Sequence, residues 1–178
     1  MERYFTVDIC GVKTDLPILD IGNGVHIAFF NLHGNQKLTE HCAKHIADRI
    51  RDAEVVLTAE SKGLQLAHCV ARNLSQDNYA VARKSKKLYM QDGIESEVKS
   101  ITTAETQKLY LSAHDVQLLK GKRVAIVDDV ISTGGSLLGL EQLVKMAGGT
   151  IVYKAFVLAE GSAADRDDVI YLNKIPLL

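Results

Sequence analysis

Two adjacent carboxylates, Asp128 and Asp129, follow the apolar run Val124-Ala125-Ile126-Val127 and precede Val130-Ile131-Ser132-Thr133-Gly134-Gly135-Ser136. A buried strand that ends in paired acids, then a loop of hydroxyls and glycines that opens a helix, is chemistry suited to a phosphorylated sugar. Glycines let the main chain close around a phosphate. The first turn of the following helix presents unpaired N–H groups at the positive end of its dipole. Ser132, Thr133 and Ser136 add hydroxyl donors. The two carboxylates repel the phosphate itself, but they can accept hydrogen bonds from ribose hydroxyls and hold Mg²⁺ through water. The loop lacks the Gly-Lys-Ser/Thr ending of a Walker A motif, and it is not the G-x-G-x-x-G of a dinucleotide site. As a mere strand-turn-helix with a polar cap it would leave the paired acids without a purpose.

Two further segments carry anion chemistry. Ala59-Glu60-Ser61-Lys62-Gly63-Leu64 places a glycine beside a cation where a helix opens, which suits pyrophosphate. Ala82-Arg83-Lys84-Ser85-Lys86-Lys87-Leu88 is a basic cluster after a second short apolar run. On its own such a cluster is a solvated face; at the carboxyl end of a strand near a phosphate site it reads as anion binding. His41 and His45 are four apart on a helix, but His-Cys-Ala-Lys-His lacks the Glu of a zincin helix and reads as a helix face.

The elements that must position these groups follow from hydrophobic periodicity. Tyr4, Val7 and Ile9 are spaced for a strand, Gly22-Asn23-Gly24 marks a turn, and Val25 to Phe30 reads as another strand. Leu38, Cys42, Ile46 and Ile50 recur at helical spacing. From Val55 onward, short apolar runs alternate with helices: Val55–Leu57, a helix through Leu66 and Leu74, Tyr79–Ala82, Val124–Val127, a helix from Ser136 to Met146 closed by Gly148-Gly149, and Ile151–Leu158. That alternation predicts a parallel sheet covered on both faces, with the ligand beyond the carboxyl ends of its strands. Between Lys84 and Lys120 the pattern weakens, and Gln91 to Thr106 reads as a polar excursion with a mobile loop. The stretch Asp165-Arg166-Asp167-Asp168 reads as a loop before a strand at Val169 to Leu172.

Composition narrows the function classes. A chain of 178 residues is one domain by size, and 47% apolar residues suffice for a core. With 21 basic against 22 acidic residues, the charge gives no support for a protein coating nucleic acid, which shows a strong basic excess. No apolar run approaches the ~20 residues of a membrane helix, and Met1-Glu2-Arg3-Tyr4 shows no signal pattern. Cys10, Cys42 and Cys69 have no C-x-x-C spacing and read as reduced thiols of a cytoplasmic protein.

The segment from Val124 to Ser136 closely resembles the signature of type I phosphoribosyltransferases, which bind 5-phosphoribosyl-1-pyrophosphate (PRPP). The resemblance covers roughly residues 25 to 178. It implies an α/β fold, a type I phosphoribosyltransferase-like parallel sheet with helices on both faces. To this it adds a small N-terminal flap over residues 1–36 and a mobile lid over 96–111, all within the single domain 1–178. It implies that Asp128 and Asp129 hold the ribose and, through water, Mg²⁺ carried with PRPP. Ser132, Thr133, Gly134, Gly135 and Ser136 would then hold the 5′-phosphate. The Glu60–Gly63 loop resembles the acid-x-Arg-Gly loop of adenine phosphoribosyltransferases. Lys62 stands where that family has Arg, so main-chain contacts at Ser61, Lys62 and Gly63 gain weight. Arg83, Lys84 and Lys87 match an Arg-Lys-x-x-Lys segment of the adenine and xanthine enzymes. Adenine enzymes carry a Ser-x-x-Glu-Tyr pattern in the lid, with the acid near the base; this chain lacks Glu-Tyr and offers Glu105 one or two positions away. Val25, Phe29, Phe30 and Asn31 are the implied base-binding set of the flap.

The activity implied is transfer of phosphoribosyl from PRPP to a purine base, adenine first and xanthine as the alternative, within purine salvage. A PRPP- or nucleotide-sensing regulator without turnover is the other function class. Family members are typically homodimers, with the basic segment approaching the neighbour's site. No nucleic acid or membrane partner is implied.

Overall fold

The structure, a computed structural model, describes residues 3–99 and 106–178. Five parallel strands form the central sheet: β4 (Val55–Ala59), β5 (Ala80–Ala82), β8 (Arg123–Ile131), β9 (Thr150–Glu160) and β10 (Ile170–Ile175), in the spatial order β10-β9-β8-β4-β5. Helices α1 (Gln36–Arg49) and α2 (Leu64–Asn73) cover one face; α3 (Ala113–Leu119) and α4 (Gly135–Ala147) cover the other. The period-two alternation of β8 explains the two layers. Ala125 and Val127 belong to the core under α1 and α2, whereas Val124 and Ile126 belong to the core under α4. The expected parallel sheet with helices on both faces is therefore present.

The strand order reverses direction between β4 and β8, which is where doubly wound sheets open a ligand crevice. Here the opening is visible in the register. β4 pairs with β8 only from Val55↔Val124 to Leu57↔Ile126, while β8 continues against β9 as far as Ile131↔Ala159. Asp128 and Asp129 thus sit where β8 has already parted from β4. They lie inside the strand, not after its end as the apolar run suggested, because pairing with β9 extends it.

The N-terminal flap is an antiparallel sheet of β1 (Tyr4–Ile9), β2 (Val12–Asp20) and β3 (His26–Ala28). Val7, Ile9, Leu16 and Ala28 pack it into the core that α1 helps to form. The C-terminal tail joins flap to sheet: His26 N donates to Leu178 O at 3.3 Å, and Leu177 packs over Gly161 at the end of β9.

The weakly patterned region contains regular structure. β6 (Ile94–Lys99) and β7 (Thr106–Leu111) form an antiparallel hairpin, and Val98, Leu109 and Leu111 are buried. Its inner side seats on α4, where Gly139 leaves room for Leu109, Ser96 and Val98. Alternation spreads so few apolar side chains over each strand that the segment read as polar. Helix α3 was also not anticipated, although Ser112 caps it by accepting from Asp115 N at 3.1 Å, a start signal present in the sequence. No helix among the described residues is long and apolar enough to cross a membrane.

Candidate functional site

The crevice between β4 and β8 collects the loop after each strand. On the β8 side, Asp128 is half-buried and Asp129 almost wholly buried, at 4% exposure. Asp129 N donates to Asp128 Oδ1 at 2.8 Å, and Val130 N donates to Asp129 Oδ1 at 2.8 Å. These bonds fix both carboxylates. Burial, and then the charge of Asp129, push the Asp128 carboxyl well above the ordinary range.

Beyond them, Ser132, Thr133, Gly134, Gly135 and Ser136 line a cavity of about 140 Å³ together with Asp128, Val130 and Phe156. Gly134 takes φ +81°, a left-handed conformation that side chains avoid, and caps α4 without a side-chain hydrogen bond. The first-turn amides of α4 therefore face the cavity side with no capping oxygen of their own. Ser132 Oγ is already engaged, donating to Glu160 Oε1 at 2.8 Å.

On the β4 side, Lys62 reaches across the crevice. Its Nζ stands 3.0 Å from Asp129 Oδ2 as an ion pair without hydrogen-bond geometry, and 5.4 Å from the centroid of the Phe29 ring. One cation thus links the loop after β4, an acid of β8 and an aromatic of the flap. Ser61 is exposed beside it and follows a cis peptide from Glu60. Gly63 is buried, and a Cβ there would meet Thr58 Oγ1 at 2.4 Å and Asp128 Oδ1 at 2.6 Å. No side chain fits at that point between the loop after β4 and the strands β4 and β8.

Glu60, not singled out as a site residue from the sequence, organises the basic segment. Arg83 Nε donates to its Oε2 at 2.8 Å, and Lys84 N donates to its Oε1 at 2.7 Å. Burial opposes its charge, but the Lys84 amide and the Arg83 guanidinium outweigh that and hold the carboxyl below its ordinary value. Arg83 Nη1 also donates to Tyr89 OH at 2.9 Å. Lys84 is exposed, and Lys87 is half-buried near enough to Glu60 to act on its charge.

The flap residues divide. Phe29 is half-buried and meets Lys62, so it borders the crevice. Phe30 does not: just past the end of β3, it is 2% exposed within the core. It is removed from the base-binding set. Asn31 is exposed, and its Oδ1 accepts from His33 N at 3.0 Å. Val25 lies exposed on the turn between β2 and β3, bonded to Gly22 and Ile21. Glu105 lies outside the described residues.

Among the described residues no group of three or more His, Cys, Asp or Glu could cage a metal ion. The paired acids alone suit Mg²⁺, which keeps several waters and takes its remaining oxygens from a phosphorylated substrate. Buried Asp129 Oδ2, with no hydrogen-bond partner, is the oxygen with acceptor capacity to spare.

The family of the phosphoribosyl transferase domain matches residues 30–175. A xanthine phosphoribosyltransferase of an Exiguobacterium species is 34% identical over 146 residues, covering 80% of this chain and 74% of that protein. An adenine phosphoribosyltransferase of Methanococcus maripaludis is 29% identical over 133 residues, covering 74% of each chain. The adenine phosphoribosyltransferase structure from Thermoanaerobacter pseudethanolicus shares the fold, with a TM-score of 0.75 at 22% identity over 90% of this chain and 95% of that one.

Proposed function

The chain belongs to the phosphoribosyltransferase family, and from that premise we propose that it transfers the phosphoribosyl group of PRPP to adenine, giving AMP and pyrophosphate. The observation that carries this reading is the crevice itself. Paired acids, a hydroxyl-glycine loop on a helix N-terminus and a lysine bridge meet where β4 and β8 part. In this reading Asp128 and Asp129 accept from the ribose hydroxyls, and Ser132–Ser136 receive the 5′-phosphate. Ser61, Lys62 and Gly63 receive the pyrophosphate, with Arg83, Lys84 and Lys87 beside them. Asp128 and Asp129 would hold Mg²⁺ together with PRPP, and the ion would supply charge neutralisation for the leaving pyrophosphate.

The reaction forms a bond from the purine ring nitrogen to ribose C1 and breaks the bond from C1 to the pyrophosphate oxygen. The electron pair leaves with pyrophosphate, and the base gives up its N–H proton. A lid drawn from residues 96–111 would exclude water from a centre with oxocarbenium character, with β6 and β7, seated on α4, as its fixed base. Glu105 of that segment is the residue assigned to the base, so Glu105→Gln is expected to lower kcat more than it raises KM for PRPP.

Adenine is favoured by the acceptor chemistry at the end of β9. Glu160 there offers a carboxylate suited to a 6-amino group, one oxygen of which takes the Ser132 hydroxyl while the other is open to the base. Lys174, the cation that could have met a 6-oxo group, projects exposed from edge strand β10. Xanthine is the second reading, favoured by the 34% identity to a xanthine enzyme. Steady-state rates with adenine, xanthine, hypoxanthine and guanine decide the base. A site built on hydrogen bonds to one exocyclic group discriminates by ~10⁴ or more. Xanthine turnover above adenine turnover overturns the adenine assignment; no nucleotide from any base makes the protein a PRPP-binding regulator.

The setting proposed is cytoplasmic purine salvage by a homodimer. Leu88 at 93% and Tyr89 at 70% exposure, within the basic segment, form an apolar surface that a second copy would cover. Sedimentation at a mass of one chain would refute the dimer.

A further inference from the structure

We propose that Arg166 is a ligand of the 5′-phosphate, a role that rests on the reading of Ser132–Ser136 as the phosphate loop. Three observations meet at this side chain. First, its guanidinium is clamped along one edge only: Nε and Nη2 donate to the two oxygens of Asp168 at 2.8 and 2.7 Å. Second, Asp168 is itself held by Lys154 Nζ at 2.9 Å, and Lys154 pairs in turn with Glu141 of α4. The orientation of the guanidinium is therefore tied to the helix whose first turn borders the phosphate cavity. Third, Nη1 makes no hydrogen bond among the described residues and points at the loop. It lies 2.9 Å from where a Cβ would stand on Gly134. Gly134 is thus small for two reasons, its φ of +81° and the guanidinium over it.

The four charges Lys154, Arg166, Glu141 and Asp168 sum to zero. The network therefore adds little long-range field; what it adds is a pair of oriented N–H donors over Gly134, on a loop otherwise made of main chain and hydroxyls. A bidentate clamp on one edge with a free donor on the other is the geometry in which arginine serves oxyanions. Arg166 is only partly exposed, at 35% of its side chain, so its contact with a phosphate is not fully screened.

Calorimetry with two probes, ribose 5-phosphate and inorganic pyrophosphate, tests the assignment. Arg166→Ala and Arg166→Gln should each weaken ribose 5-phosphate roughly 10- to 100-fold, the range for one charge-assisted hydrogen bond, and leave pyrophosphate affinity unchanged. Asp168→Asn keeps the guanidinium but loosens its clamp, and should fall between wild type and Arg166→Gln. Unchanged ribose 5-phosphate affinity in both Arg166 variants overturns the proposal. So does an equal loss for both probes with a lowered Tm, which marks a structural role alone. Wild-type protein that binds pyrophosphate but not ribose 5-phosphate refutes the phosphate-loop reading itself, and this assignment with it.

Discussion

On the β8 side of the crevice the proposed phosphate loop offers exposed hydroxyls and a helix start without a side-chain cap. On the β4 and β5 side two cations are already engaged, Lys62 with Asp129 and Arg83 with Glu60. The first region is preorganised, so binding there requires little rearrangement. In the proposed reading the second works by exchange, because an incoming pyrophosphate would have to outcompete a carboxylate for Lys62 and for Arg83. Carboxylates on that side thus tune affinity as much as the cations do, and variants should separate the two designs.

The largest effect is expected for Asp129→Asn, which touches both regions. It removes a ribose acceptor and strips Lys62 of its partner. Affinity for PRPP should fall by about 1.5–3 kcal/mol in calorimetry. Unchanged PRPP binding would remove Asp129 from the site.

Gly63→Ala is next, and it tests the close approach of the two loops. Its Cβ would stand within 2.6 Å of both Thr58 Oγ1 and Asp128 Oδ1. Overpacking of this kind typically costs about 1–3 kcal/mol of stability, readable as a lowered denaturation midpoint with a parallel loss of turnover. A variant as stable and active as wild type would mean that the loops separate freely.

A pH series addresses the preorganised side. The Asp128 carboxyl is raised to about 7 by burial and by Asp129, against ~3.9 for an exposed aspartate. As pH rises through that window the unfolded chain loses this proton while the native chain keeps it. The contribution of Asp128 to stability therefore falls from about pH 4 to about pH 7 and stays low above it. Without substrate, Asp128→Asn should flatten this part of the Tm profile and exceed wild type in Tm at pH 8, while binding PRPP more weakly. Identical profiles for the two proteins would show that Asp128 sits as an ordinary solvated acid.

The smallest effect belongs to Glu60→Gln on the exchange side. Arg83 and Glu60 are partly exposed, at 31% and 22% of their side chains, so their pairing is worth only about 0.5–1 kcal/mol. Freed of it, Arg83 should bind pyrophosphate a few-fold more tightly. Weaker pyrophosphate binding would instead make Glu60 the support that aims Arg83.

Local pattern made much of this legible. The apolar run before Asp128, the glycine-hydroxyl loop and the alternation of strands and helices placed the sheet, both helical layers and the turn that opens α4, because each is written in contiguous residues of one period. The hairpin at 94–111 was missed for the opposite reason: its apolar side chains become a face only when they meet Gly139 on α4. Phe29 and Phe30 were indistinguishable as neighbours, and only packing sends one to the crevice and the other to the core.

By itself the sequence determined which chemistry this chain carries, since paired acids, glycines and cations keep their chemical character wherever they fold. Tertiary structure decided who meets whom. Lys62 and Asp129 are brought to 3.0 Å by the parting of β4 from β8, and Arg166 is laid over Gly134 by a network that runs through β9 and α4. Such meetings join residues from distant parts of the chain, and a one-dimensional pattern has no period that records them.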